Sequence, residues 1–284
     1  MRPFSPAWAD PLVSNALGRV TMLRGGLRAR IVGDGEPLVF LHGLGASLRY
    51  WGRGYDDLSL DHRLVFLDLL GFGGSAKPDG PYDAGQHTDA LEEAFNELDI
   101  RSATIVGHSA GALVGMHYAA TKPAFRVVAF GAPVFLSVVS ARRHLRSLGP
   151  LARFMADESP WAGRLCAFMC DHRELTRRLA PIFAPRLPAA VASDGVDHTW
   201  DSYKGTFDLI VKQEETPKLL ATLGERLTLI YGRDDRVCPA SQVEPMVQRV
   251  GDVRLIARRN GDHHVPLQFP EQCSELIREG SKSP

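Results

Sequence analysis

No run of about 18 apolar residues occurs in the chain, so the sequence offers no helix that would cross a bilayer. Residues 1–10 also lack the apolar stretch of a secretory signal, and a cytoplasmic protein is the expectation. An excess of charge is missing too. Lys plus Arg and Asp plus Glu stand at 33 each, which leaves no overall field to gather nucleic acid or an anionic membrane, and neither is expected as a partner. Cysteine is sparse. Cys166, Cys170, Cys238 and Cys273 form no CxxC pair, and no His or second Cys pair stands at a zinc-site spacing. Free thiols in a reducing compartment, without a metal or cofactor, are therefore expected.

What remains is ample material for a core. Over 284 residues, 44% are hydrophobic, which suits one large α/β domain carrying an insertion. Its centre is the stretch from Ala103 to Ala120. A β-branched apolar run, Ala103 to Val106, reads as a buried strand, and the Ala-, Leu- and Met-rich segment after Ser109 reads as a helix. Between them lies Gly107-His108-Ser109-Ala110-Gly111. Two glycines without Cβ atoms let strand and helix pass close together and leave the Ser109 hydroxyl exposed at a sharp turn. The helix N-terminus beside it favours negative charge, and the Ala110 N–H is a natural donor to an oxyanion.

The rest of the chain alternates strand and helix around this unit. Residues 1–18 are expected to form an arm over the surface. Arg19 to Arg24 and Leu27 to Val32 read as a hairpin closed by Gly25-Gly26. Pro37 to Leu41 is a strand running into the loop His42-Gly43-Leu44-Gly45, where His42 braces the loop and the Leu44 N–H is a second oxyanion donor. Ser47 to Leu58 can be helical with Ser47 as N-cap, and Arg63 to Leu70 is a strand. Asp68 suits a turn-stabilising carboxylate better than a catalytic acid. Ala84 to Leu98 is an amphipathic helix, and Arg126 to Gly131 the next strand.

From about 133 to 217 the alternation lapses into helix-prone sequence broken by prolines, too long for a plain connection, and a helical lid is the natural reading. The core then comprises 19–132 and 218–284. Between Ser140 and Ala190 nine arginines face four acidic residues. Solvated helix faces account for most of them, although one could meet a substrate carboxylate. The lid's aromatic residues, Trp161, Phe168, Phe183, Trp200, Tyr203 and Phe207, are expected mostly to pack the lid's own core. A strand at Leu227 to Gly232 leads into an acidic loop, and one at Val253 to Ala257 leads into Asn260-Gly-Asp-His-His-Val-Pro266. Pro270 to Gly280 is a closing helix.

Serine, then an acid after a late strand, then histidine after the last strand resembles the serine-nucleophile members of the α/β-hydrolase superfamily. The resemblance rests on Leu-His-Gly-Leu-Gly at 41–45, Asp-Leu-Leu-Gly-Phe-Gly-Gly-Ser at 68–75, Gly-His-Ser-Ala-Gly at 107–111, Gly-Arg-Asp-Asp-Arg-Val-Cys-Pro at 232–239 and the Asp262-His263-His264 loop before Pro270. It implies an α/β-hydrolase fold: a mostly parallel sheet with flanking helices and an inserted lid. It also implies a triad of Ser109, Asp235 and His263, with Asp234 and His264 as alternates. The chain has Asp262 before His263 where relatives often have glycine. A serine at the elbow implies acyl transfer, whereas haloalkane dehalogenases and epoxide hydrolases place an aspartate there. A small or medium apolar carboxylic ester is the favoured substrate. C–C bond, thioester or lactone hydrolysis and non-hydrolytic ligand binding are the alternatives, and a homodimer is left open.

Overall fold

The computed structural model describes residues 4–5, 8–12, 17–149, 153, 160–212, 216–258 and 260–282. Much of the expected N-terminal arm therefore lies outside the described residues. One sheet runs in the order β1-β2-β4-β3-β5-β6-β7-β8. Its strands are β1 (Arg19–Met22), β2 (Arg28–Val32), β3 (Glu36–Leu41), β4 (His62–Leu67), β5 (Ala103–His108), β6 (Phe125–Phe130), β7 (Leu227–Gly232) and β8 (Arg254–Arg258). From β4 onward every pairing is parallel, while β1 and β2 are antiparallel. Parallel neighbours need crossovers, and the helices that supply them bury both faces of the sheet.

Alternation along each strand decides which face a side chain meets. Val39, Leu41, Ile105, Val127 and Leu229 join the core on one side, and Leu38, Phe40, Val106, Val128 and Ile230 the core on the other. Helix α1 (Ala84–Glu97) starts at Asp83, whose carboxylate accepts the Gln86 N–H at 2.9 Å. Helix α2 (Ala110–Thr121) is buried on every side from Ala110 to Ala119, which explains why its sequence is apolar without a polar stripe.

The β1–β2 hairpin forms, but its turn is longer than the two glycines. Leu23 and Leu27 are drawn into the core at 5% and 1% exposure, and the Leu23 N–H donates to the Leu27 carbonyl. The ladder therefore ends at the Met22–Arg28 pair, and Gly25 and Gly26 turn the chain with φ of 72° and 71°. Residues 47–60 form two short 3-10 turns instead of one α-helix, with the Ser47 hydroxyl capping the first through Arg49 N.

Between β6 and β7 the described chain is helical: α3 (Val138–Ser147), α4 (Pro160–Asp171), α5 (Arg173–Phe183), α6 (Ala189–Asp194), α7 (Trp200–Thr206) and α8 (Thr216–Leu223). Polar contacts pin this segment to the sheet's loops. Asp194 accepts from Ser47 Oγ at 2.5 Å and Arg49 Nη1 at 3.0 Å, Ser202 Oγ donates to the Gly71 carbonyl at 2.9 Å, and Phe72 and His198 form an isolated β-bridge. Its aromatic residues depart from expectation, since Trp161, Phe168 and Phe183 are 64%, 56% and 83% exposed. Trp161 and Phe168 lie on α4, on the side away from its buried Ala162 and Cys166, and Phe183 ends α5, none of whose side chains is buried. Beyond β7 come α9 (Ala240–Val250), the single turn α10 (Val265–Gln268) and α11 (Pro270–Ser281). No helix among the described residues is long and apolar enough to cross a membrane.

One buried ion pair fastens the antiparallel edge. Arg30 of β2 is 1% exposed, and its Nη2 donates to both Asp56 carboxylate oxygens at 2.8 and 2.7 Å. Asp56→Ala strands that guanidinium and should cost about 3 to 5 kcal/mol. The expected reading is a lower urea midpoint with an unchanged m-value.

Candidate active site

At the carboxyl end of β5 the chain turns straight into α2, and Ser109 sits at the turn with φ 51° and ψ −121°. A left-handed φ is uncommon for a residue with a Cβ and costs about 1 to 2 kcal/mol. The turn is held by the Ser109 N–H, which donates to the Phe130 carbonyl of β6 at 2.9 Å. It is also held by close approach. A Cβ on Gly107 would meet Ala112 Cα at 2.4 Å, and one on Gly111 would meet the His42 carbonyl oxygen at 2.3 Å. Both glycines are thus required by the packing of α2 on β5 and β3.

Ala110 is the first residue of α2, so its N–H lies outside the helix ladder and beside Ser109. Leu44 is partly buried and follows Gly43, which lies against the elbow: a Cβ on Gly43 would come 3.2 Å from Ser109 Cβ. The two N–H groups expected to serve an oxyanion are therefore on segments that flank the serine.

Two far parts of the chain supply the other groups. Asp235, in the loop after β7, is 3% exposed. Its Oδ1 accepts the Val237 and Cys238 N–H groups at 2.9 and 2.8 Å, and its Oδ2 lies 3.0 Å from His263 Nδ1. An ionised carboxylate accepts only, so Nδ1 carries the proton and Nε2 is the free acceptor of the ring. Gly131, directly after Phe130, makes room for this pair, because a Cβ there would stand 3.0 Å from His263 Nδ1 and 3.3 Å from Asp235 Oδ2. Ser109 Oγ makes no hydrogen bond to His263 among the described residues. The acid–histidine half of the constellation is formed, and its contact with the serine is open.

The alternates fall elsewhere. Asp234 is exposed and uses its backbone N–H on the Gly261 carbonyl, while His264 turns toward Tyr50, with 3.4 Å between Nδ1 and the phenol oxygen. His42 is fully buried. Its Nε2 accepts the Leu69 N–H at 2.9 Å, so Nδ1 donates to the Gly43 carbonyl at 2.8 Å, and burial pushes the ring down to about 4. Asp68 accepts from Leu48 and Gly74 N–H groups at 2.6 and 2.7 Å, tying two loops together. Both therefore brace the loops around the site. Gly131, Tyr50 and the role of His108 were not legible in the sequence: only the glycine directly after an apolar strand hinted at a position where a side chain would intrude.

Among the described residues, ligand atoms of Asp235, Cys238 and His263 lie within 4.8 Å of one another. Their chemistry argues against a metal. Both Asp235 oxygens already accept hydrogen bonds, and burial, then the Asp235 charge, push the Cys238 thiol well above its usual range, which disfavours a thiolate ligand.

The profile described as the Alpha/beta hydrolase family matches residues 38–276, so this chain belongs to that hydrolase family. A haloalkane dehalogenase of Agrobacterium fabrum is 27% identical over 266 residues, covering 86% of this chain and 84% of the relative. Among solved structures, E-2-(acetamidomethylene)succinate hydrolase superposes with a TM-score of 0.72 at 17% identity, over 92% of this chain and 98% of the other. An esterase from Exiguobacterium antarcticum gives 0.67 at 17%, over 94% and 100%. At such identities the structural matches establish the fold, the eight-stranded α/β-hydrolase sheet with flanking helices.

Two expectations follow. Gly131 has φ +56°, and a methyl group there meets the acid–histidine pair. Gly131→Ala should lower the melting temperature and displace His263, seen as loss of its downfield Nδ1 proton resonance. The second concerns acid. Burial pushes His42, His87, His198 and His264 down to about 4 and His108 well below its usual value. Unfolded rings titrate near about 6.5, so the unfolded chain binds more protons below that pH. Stability contributed by these neutral rings is full above about pH 6.5 and is lost as pH falls toward about 4. Urea midpoints should be flat from about pH 7 to 8 and drop steeply across that window.

Proposed function

We propose that this protein is a serine hydrolase that cleaves a small or medium apolar carboxylic ester through an acyl-enzyme. The observation that carries the reading is the elbow serine beside the Asp235–His263 pair, bonded at 3.0 Å. Ser109 is the nucleophile. A serine hydroxyl is weak until a base takes its proton, and His263 Nε2 is the acceptor left free once Nδ1 is bonded to Asp235. Asp235, fixed by two backbone N–H groups, holds the ring in that tautomer and stabilises the imidazolium. The contact between serine and histidine closes when substrate binds, as catalytic hydrogen bonds commonly do.

Attack of Ser109 Oγ on the ester carbon gives a tetrahedral oxyanion, stabilised by the N–H groups of Ala110 and Leu44 and by the N-terminus of α2. His263 returns the proton to the leaving alcohol, and water then attacks the acyl-enzyme by the same base. The dehalogenase relative does not bring its chemistry here, since an aspartate is needed at the elbow for an alkyl-ester intermediate and this chain has Ser109. Residues 133–217 act as a lid that sets the substrate, because the helices between β6 and β7 lie across loops at the sheet edge that carries Ser109.

Intact mass after treatment with a fluorophosphonate, together with hydrolysis of short-chain activated esters, tests the reading. One adduct on the wild type, absent from Ser109→Ala, and at least a 10³-fold loss of turnover in that variant are expected, on the order seen when a triad nucleophile is removed. Folded wild type that takes no adduct and turns over no ester would overturn it in favour of non-hydrolytic ligand binding.

A further inference from the structure

Three residues crowd around the histidine of the acid–histidine pair: Tyr50, His108 and His264. His108 lies next to the nucleophile in sequence, yet its Nε2 is 2.8 Å from the carbonyl oxygen of His263, 155 residues away. A carbonyl can only accept, so Nε2 carries the proton and donates. The other nitrogen has no hydrogen-bond partner among the described residues. Nδ1 is buried and faces Gly43, where an added Cβ would come within 2.9 Å of it. The whole hydrogen-bonding capacity that His108 uses is thus spent on the histidine loop. Its ring plane is fixed as well, stacked on Tyr50 with centroids 4.4 Å apart and 16° between planes, while the Tyr50 hydroxyl reaches His264.

We propose that His108 is a positioning residue: its Nε2–H clamps the His263 backbone, so that the residue preceding the nucleophile sets where the base stands relative to Ser109. An imidazole tied only through Nδ1 can swing with its loop. Tied at Nδ1 by Asp235 and at its own carbonyl by His108, it has two fixed points, one on the β7 side and one on the strand that carries the serine. Of the loop's other contacts, Asp234 N–H to the Gly261 carbonyl and Asp262 N–H to Gln268 Oε1 do not reach β5, and the Tyr50 contact to His264 reaches it only through the ring of His108. His108 is suited to the task because burial, then its histidine neighbours, keep its ring neutral, so that it adds no charge beside a base that becomes positive in the reaction.

The kinetic arm rests on the serine-hydrolase reading; the spectroscopic arm does not. His108→Phe keeps the stack on Tyr50 and removes the donor. His108→Gln carries an amide to about the Nε2 position and keeps it. His108→Asn ends short of the carbonyl and replaces the Phe variant if that does not fold. On an activated ester, kcat of His108→Phe or His108→Asn should fall about 10- to 100-fold, the cost of a small misplacement, with KM within about threefold. His108→Gln should recover to within about threefold of wild type. The same samples, nitrogen-15 labelled, give the downfield Nδ1 proton resonance of His263, which reports its bond to Asp235. Loosened from Asp235, it should broaden or move upfield in the Phe or Asn variant and return in the Gln variant. A wild-type kcat and a wild-type His263 Nδ1 resonance in a donor-free variant, or a Gln variant as impaired as it, overturns the proposal. An inert wild type overturns the hydrolase reading instead, and the resonance then decides the role of His108 alone.

Discussion

The close approach of α2 to β5 and β3 is the constraint on which the rest of the site depends. With ideal Cβ atoms at Gly107 and Gly111 standing 2.4 Å and 2.3 Å from backbone atoms, no other residue type fits either place without moving the helix. Because α2 lies so near the sheet, the chain has no room for a relaxed loop between strand and helix, and Ser109 must take the left-handed turn. The strain is confined to one residue and is repaid by surroundings that over-determine it: a backbone hydrogen bond to β6 and a helix buried on every side. The result is a hydroxyl projected from the sheet edge beside unpaired helix N–H groups.

Around that fixed point the sheet topology does the remaining assembly. Parallel strands deliver their following loops to the same edge, so the loops after β3, β5, β6 and β7 and the loop after β8 meet there although they are far apart in sequence. Each adds one element: Gly43 and Leu44 from the first, Ser109 from the second, the space at Gly131 from the third, Asp235 and the histidine loop from the last two. The loops are stiffened by buried polar groups that have no part in the chemistry. His42 spends both ring nitrogens and Asp68 both carboxylate oxygens on backbone groups, which is why residues that look catalytic in type are structural in place.

The helical segment between β6 and β7 obeys weaker rules. It is fastened to the core by buried apolar residues such as Ile210, Leu219 and Leu220 and by polar contacts through Ser47, Arg49, Gly71 and Phe72, yet it leaves Trp161, Phe168 and Phe183 exposed. Apolar periodicity tells that a helix has a face to cover; it does not tell whether anything in the same chain covers it. That is why the expectation of an internal lid core failed at Trp161, Phe168 and Phe183 while the sheet strands were read correctly to within a few residues.

By itself the sequence determined the elements whose signals are local: the buried strands, the amphipathic α1, the strand–glycine–serine–glycine–helix unit, and the order serine, acid, histidine. Steric rules fix these within a few residues of chain, so composition and spacing suffice. The resemblance favoured Asp235 and His263 over their neighbours, and tertiary structure is what shows these two facing each other. Asp235 points inward and Asp234 outward because of how the loop after β7 closes, a matter of contacts across the sheet that neighbours in sequence share equally. The same holds for His108, whose partner is a carbonyl in the loop after β8. A hydrogen bond spanning 155 residues leaves no trace in local pattern, because only the folded sheet brings its two ends together.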